Sequence, residues 1–110
     1  MPIAETSEVT FERDVLECDR PVLVDFWGPS CLPCQVLEPK LEALSEDLAD
    51  QLHVVRVAWP EQSAICDAYR VSSVPTLLFF HRGLPMARFD GYSRTTDLER
   101  RLKELLIGIA

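Results

Sequence analysis

Apolar residues along the chain fall into two kinds of run, and each kind specifies an element. Residues 21–27, Pro-Val-Leu-Val-Asp-Phe-Trp, form a β-branched and aromatic run of strand length that is apolar on both faces except at Asp25. Such a run predicts a central strand covered from both sides. Beyond it, Leu37, Leu41, Leu44 and Leu48 recur at steps of four, three and four, which is one apolar stripe of a helix. Pro39 lies inside that helix and is expected to kink it. Residues 52–59 predict a second strand, 63–69 a short helix and 76–81 a third strand. The turn Arg82-Gly83-Leu84-Pro85 then leads into a fourth strand, 86–91, paired with the third as a hairpin. Near the start, Thr10 is placed to cap a short helix running to about Cys18. At the end, Thr96 and Glu99 are spaced as a capping box ahead of the stripe Leu98, Leu102, Leu105 and Leu106.

The predicted order is α, β, α, β, α, β, β, α. Alternating strands and helices imply an α/β fold with a partly parallel sheet, an antiparallel edge from the late hairpin, and helices on both faces. There is no internal repeat, low-complexity tract or linker, so residues 1–110 are expected to form one domain with a single modest core. Hydrophobic content of 47% and charged content of 26% are ordinary for a folded chain and argue against disorder. No window carries 18 or more apolar residues, so a membrane is not an expected partner. The opening residues, MPIAETSEVTFERD, lack a basic segment followed by an apolar one. No secretory signal is therefore expected, and the cytoplasm is the expected location. The net charge of −7 has the wrong sign for replacing counterions on phosphates, which argues against nucleic acid as a partner. Arg100, Arg101 and Lys103 share a helix with acids and read as a solvated face.

Four cysteines lie at positions 18, 31, 34 and 66, and only Cys31-Leu32-Pro33-Cys34 forms a motif. Three readings of that pair compete: a redox couple, half of a metal site, or two inert thiols. A metal site needs two more ligands. A second such pair is absent, and His53 and His81 sit in or beside predicted strands without paired spacing. The inert reading is weakened by location, because Cys31 falls between a buried strand and the first turn of a helix. Unpaired N–H groups and the positive end of the helix dipole favour a thiolate there. Pro33 suits a first turn because its missing N–H has no intrahelical partner anyway. Three residues apart on a helical turn, the two sulfurs share a face and can close a disulfide with little backbone movement. Cys31 is then the more exposed candidate nucleophile and Cys34, one turn deeper, the resolving thiol. Cys18 and Cys66 read as small helix residues rather than a second redox centre.

Asp25 interrupts an otherwise apolar strand. It is either an acid at a solvated strand end or a buried carboxyl that holds its proton. In the second case it is suited to accept the proton that Cys34 must lose when it resolves a mixed disulfide. Val74-Pro75-Thr76 precedes a strand, and Pro75 either ends the preceding helix or forms a cis bond that exposes backbone groups to an extended peptide.

Together, PVLVDFW, the Cys-x-Pro-Cys pair, Pro39, VPTLLFF, Gly83 in the hairpin turn and Gly91 resemble the thioredoxin family over nearly the whole chain. The resemblance implies the thioredoxin fold, a central mixed sheet flanked by four helices. It also implies a cis Pro75 facing the cysteines and dithiol–disulfide exchange through a Cys31–Cys34 disulfide, with no cofactor and no metal. By position, Asp25 matches the family's buried acid, and Arg56 stands where a lysine is usual near that acid. The expected partners are protein disulfides as substrates and an electron donor resembling thioredoxin reductase, and the expected state is a monomer.

Two departures bear on partner choice. The family usually carries Trp-Cys-Gly-Pro-Cys, whereas this chain has Ser30 before Cys31 and Leu32 in place of glycine. Ala58-Trp59-Pro60 replaces a polar loop whose aspartate commonly partners the missing indole, so Trp59 is expected to fill the vacated surface. Ser30, Leu32, Pro33, Arg56, Trp59, Val74 and Gly91 are thus the expected tuning or contact residues around Cys31, Cys34, Asp25 and Pro75. The expected function is a protein-disulfide oxidoreductase acting mainly as a reductase. A second class stays open, a thioredoxin-fold binding or chaperone-like module whose cysteines have little catalytic role.

Overall fold

The structure is a computed structural model and describes residues 3–91 and 95–109, without the side chains of 95 and 96. Its sheet has five strands: β1 (Ala4–Glu5), β2 (Val22–Trp27), β3 (His53–Ala58), β4 (Thr76–His81) and β5 (Leu84–Asp90). They lie in the order β1-β3-β2-β4-β5. β3 pairs in parallel with β1 and β2, while β4 pairs antiparallel with β2 and β5. Three α-helices, α1 (Leu32–Asp47), α2 (Ser63–Ala68) and α3 (Thr95–Gly108), and one π-helical segment, Glu12–Leu16, complete the described elements.

Strand alternation divides the core into two layers. Leu23, Val54, Leu77 and Phe79 meet the α1 stripe Leu37, Leu41, Leu44 and Leu48 and the α3 stripe Leu98, Leu102 and Leu106. On the other face, Val22, Val24, Phe26, Val55, Val57, Leu78 and Phe80 meet Phe11 and Val15 of the N-terminal segment and Ile65 and Cys66 of α2. Each fully buried leucine or phenylalanine contributes about 1.5–3 kcal/mol. Both expected leucine stripes face the core, with Leu105 only partly buried at its edge. α1 runs through Pro39 as one element. Arg100 pairs with Asp97 and Glu104, and Lys103 with Glu99, so the expected solvated face of α3 is laced with ion pairs. The capping box at Thr96 and Glu99 rests on a side chain outside those described. No helix among the described residues is long and apolar enough to cross a membrane.

Three local expectations are corrected. The N-terminal helix is shorter than residues 10–18 and π-helical, and Cys18 lies beyond it. Thr10 does not cap it: its hydroxyl accepts from the Ser7 N–H at 3.2 Å and lies 3.2 Å from the Thr6 hydroxyl. The hairpin turns at Arg82 and Gly83, with φ of 53° and 80°, so the last strand begins at Leu84 and not at Met86. Pro85 is accommodated because, among the described residues, β5 is an edge strand paired with β4, and their register shifts between Phe79 and Phe80. Finally, β1 is a strand that two residues give no periodicity to reveal.

Candidate active site

The cysteine pair forms at the start of α1. Cys31 is the N-cap, in extended conformation at φ −92° and ψ 105°, and Pro33 lies in the first turn, where it costs no hydrogen bond. The Cys34 backbone N–H donates to Cys31 Sγ at 3.1 Å, and the Gln35 N–H donates to the Cys31 carbonyl at 3.1 Å. Cys31 and Cys34 are joined as a disulfide with Cα atoms 5.2 Å apart. Cys31 is partly exposed, whereas Cys34 is 7% exposed, so the first sulfur is the one an incoming disulfide can reach. N–H donors at a helix start stabilise negative charge on the capping sulfur.

Asp25 lies on the same face of β2 as Leu23, beneath the α1 and α3 layer, and is 4% exposed. It is a buried acid, not one at a solvated strand end. Burial pushes its carboxyl up to about 7. The Arg56 guanidinium pulls against that rise, while Glu38 and Glu5 reinforce it. Arg56 is the register partner of Asp25 across β2 and β3. The contact is loose, with Arg56 Nε 3.9 Å from Asp25 Oδ2. Arg56 Nη1 is instead 3.0 Å from Glu38 Oε1 and 3.8 Å from Glu5 Oε1, and the guanidinium lies 4.0 Å from the centre of the Trp27 ring. Arg56, Glu38, Trp27 and Cys34 line a cavity of about 260 Å³.

On the outer side, an open groove of about 550 Å³ runs past the reactive sulfur. Ser30, Cys31, Leu32 and Pro33 form one wall, and Trp59, Pro60, Ser72, Ser73 and Val74 form the other. Gly28 lets these loops meet: a Cβ there would lie 3.3 Å from Val74 Cγ2 and 3.5 Å from the Trp59 carbonyl. The Val74–Pro75 bond is cis, as is Trp59–Pro60. Pro75 itself is buried, its carbonyl accepting from the Gly91 N–H at 2.9 Å, so Val74 rather than Pro75 faces the groove. Trp59 lines the groove with Ser30, and Leu32 is 70% exposed beside Cys31.

Cys66 is buried in α2, where burial pushes its thiol up, and Cys18 packs partly buried against the same layer. Neither lines either cavity. The residues that sequence reasoning missed are Glu38, Glu5 and Trp27 around Arg56, and Ser72 and Ser73 in the groove. Glu38 carried a signal: it stands four residues after Cys34 and so shares its helix face.

The thioredoxin family model matches residues 2–104. The chain is 39% identical over 103 residues to thioredoxin 1 of Synechococcus elongatus, spanning 94% of this chain and 96% of that protein. It is 30% identical over 106 residues to thioredoxin of Porphyra purpurea, spanning 96% and 99%. It is also 32% identical over 102 residues to the bifunctional thioredoxin reductase/thioredoxin of Mycobacterium leprae, spanning 93% of this chain and 22% of that protein.

Proposed function

Since the chain belongs to the thioredoxin family and is a protein dithiol–disulfide oxidoreductase, we propose that it works chiefly as a reductase, with Cys31 attacking and Cys34 resolving. The observation that carries this reading is the placement of Cys31 as N-cap of α1, exposed to the groove, with Cys34 buried one turn on.

In the reduced protein, the Cys31 thiolate attacks one sulfur of a substrate disulfide. A mixed disulfide forms, and the other substrate sulfur leaves as a thiolate that takes up a proton. Charge on Cys31 is favoured by the helix start and its N–H donors. Cys34 then loses its proton to Asp25 and attacks Cys31 Sγ. The Cys31–Cys34 disulfide closes, the second substrate sulfur leaves and is protonated, and two electrons have passed to the substrate. An acid held near 7 suits this step, since a proton acceptor works best with a pKa near the operating pH. Cis-Pro75 sets Val74 at the groove, where its backbone is placed to meet an extended substrate segment.

A thioredoxin-reductase-like enzyme is the proposed electron donor. Support comes from the Mycobacterium leprae relative, whose name joins both activities in one protein. Ser30, Leu32, Pro33 and Trp59 line the groove and tune which proteins dock, while Arg56 and Gly91 support the site from behind. We further propose a single domain over residues 1–110, acting as a monomer in the cytoplasm, where reducing conditions keep the dithiol available.

Cys34→Ser tests the assignment. It should accumulate mixed disulfides with protein substrates through Cys31, resolvable by added thiol, while Cys31→Ser accumulates none. Trapping through position 34 in the Cys31→Ser protein would reverse the roles.

A further inference from the structure

We propose that Glu38 is a positioning residue for the exchange reaction: it holds the Arg56 guanidinium at the rim of the inner cavity and so keeps it from pairing fully with Asp25. The inference rests on the reading that Asp25 takes the Cys34 proton.

The geometry carries the argument. Arg56 both lines the cavity with Cys34 and lies against Asp25. Its close partner is nevertheless Glu38, at 3.0 Å, while the contact to Asp25 is 3.9 Å, beyond hydrogen-bond range. Arg56 Nε, Asp25 Oδ1 and Trp27 Nε1 are buried without hydrogen-bond partners among the described residues. Arg56 Nε, a buried donor without a partner, thus stands 3.9 Å from Asp25 Oδ2, and a closure of roughly 1 Å would join the two groups. That they stay apart is explained by the other end of the guanidinium. Nη1 is drawn to Glu38 on α1 and, more weakly, to Glu5 on β1, and the plane is seated over Trp27. Among the described residues, the charged groups that act on Asp25 are Arg56 from β3, Glu38 from α1 and Glu5 from β1. Leu77, its partner on β4, carries no charge.

The consequence is chemical. A guanidinium paired in full with Asp25 would favour the carboxylate and lower its appetite for a proton. With Glu38 holding Arg56, the cation neutralises the rim of the cavity while Asp25 stays able to take a proton at neutral pH. Glu38 is 37% exposed in its side chain and contributes nothing to the core, so its substitution leaves the fold in place.

The test is carboxyl NMR of Asp25 in the oxidised protein, assigned against Asp25→Asn and followed through a pH titration. Glu38→Gln should lower the Asp25 midpoint by about one pH unit or more, as Arg56 swings onto it. Glu38→Asp, which keeps the charge, should shift it less. In an Arg56→Met background, Glu38→Gln should lose most of its effect. An unmoved or raised midpoint in Glu38→Gln would overturn the proposal. So would a shift of full size without Arg56, since Glu38 would then act on Asp25 by charge alone. A failure of the catalytic role of Asp25 would show in turnover and leave this titration untouched.

Discussion

Replacing Asp25 with asparagine should make the protein more stable, and by an amount that grows with pH. The carboxyl is 4% exposed, and burial raises it from 3.8 to about 7. Its folded pKa lies above the unfolded one, so the protonated acid's contribution is fully present below about 3.8 and is lost as pH rises through about 7. Each pH unit across that window is worth about 1.4 kcal/mol, so the native state gives up about 4 kcal/mol between the two ends. Asparagine does not titrate and gives up none of it. The amide adds a constant offset of about 1 kcal/mol, of either sign, from its own hydrogen bonding beside Arg56. The pH dependence, and not the offset, is therefore the signal. Urea unfolding of both oxidised proteins from pH 4 to pH 9 measures it, with other titrating groups cancelling in the difference. Asp25→Asn should gain steadily on the parent protein between about pH 4 and pH 7 and hold a constant lead above about pH 8. A difference that stays flat across that range would show that Asp25 is not held protonated by burial.

The reduced protein should be alkylated at Cys31 well before Cys34 near neutral pH, because only Cys31 opens onto the groove; peptide mapping reads this, and equal labelling would remove the distinction. Ser30→Trp should raise the rate with a common thioredoxin reductase more than the rate with a small disulfide. A single aromatic anchor at a docking surface is worth on the order of 2 kcal/mol, more than tenfold in affinity. If both rates move together, the substitution acts on sulfur reactivity and not on docking.

Much of the architecture was legible because alternation and leucine spacing are local signals. β2, α1, β3, β4 and α3 each carry such a signal over six or more residues. The Asp25 site was legible in part: one carboxyl in an apolar strand announces itself, and so does an arginine in the next strand. Its partners were not. Glu5, Glu38 and Arg56 come from β1, α1 and β3, and only the folded sheet brings them to one guanidinium. β1 escapes notice because two residues show no period, and it is held by pairing with Val55 and Arg56 rather than by its own composition. The Glu12–Leu16 segment departs from the expected helix because a π-turn follows no 3.6-residue stripe. Ser72 and Ser73 look like any polar loop until the cis Val74–Pro75 bond and Gly28 set that loop against the cysteines.

The central claim is that electrons pass to protein disulfides through Cys31. Dithiothreitol-dependent reduction of insulin, followed by precipitation of the freed chains, tests it most directly. The wild-type protein should accelerate the reaction well above dithiothreitol alone, and Cys31→Ser should reduce the rate to that background. Equal rates for wild type and Cys31→Ser would contradict the account and leave a binding module whose cysteines are incidental.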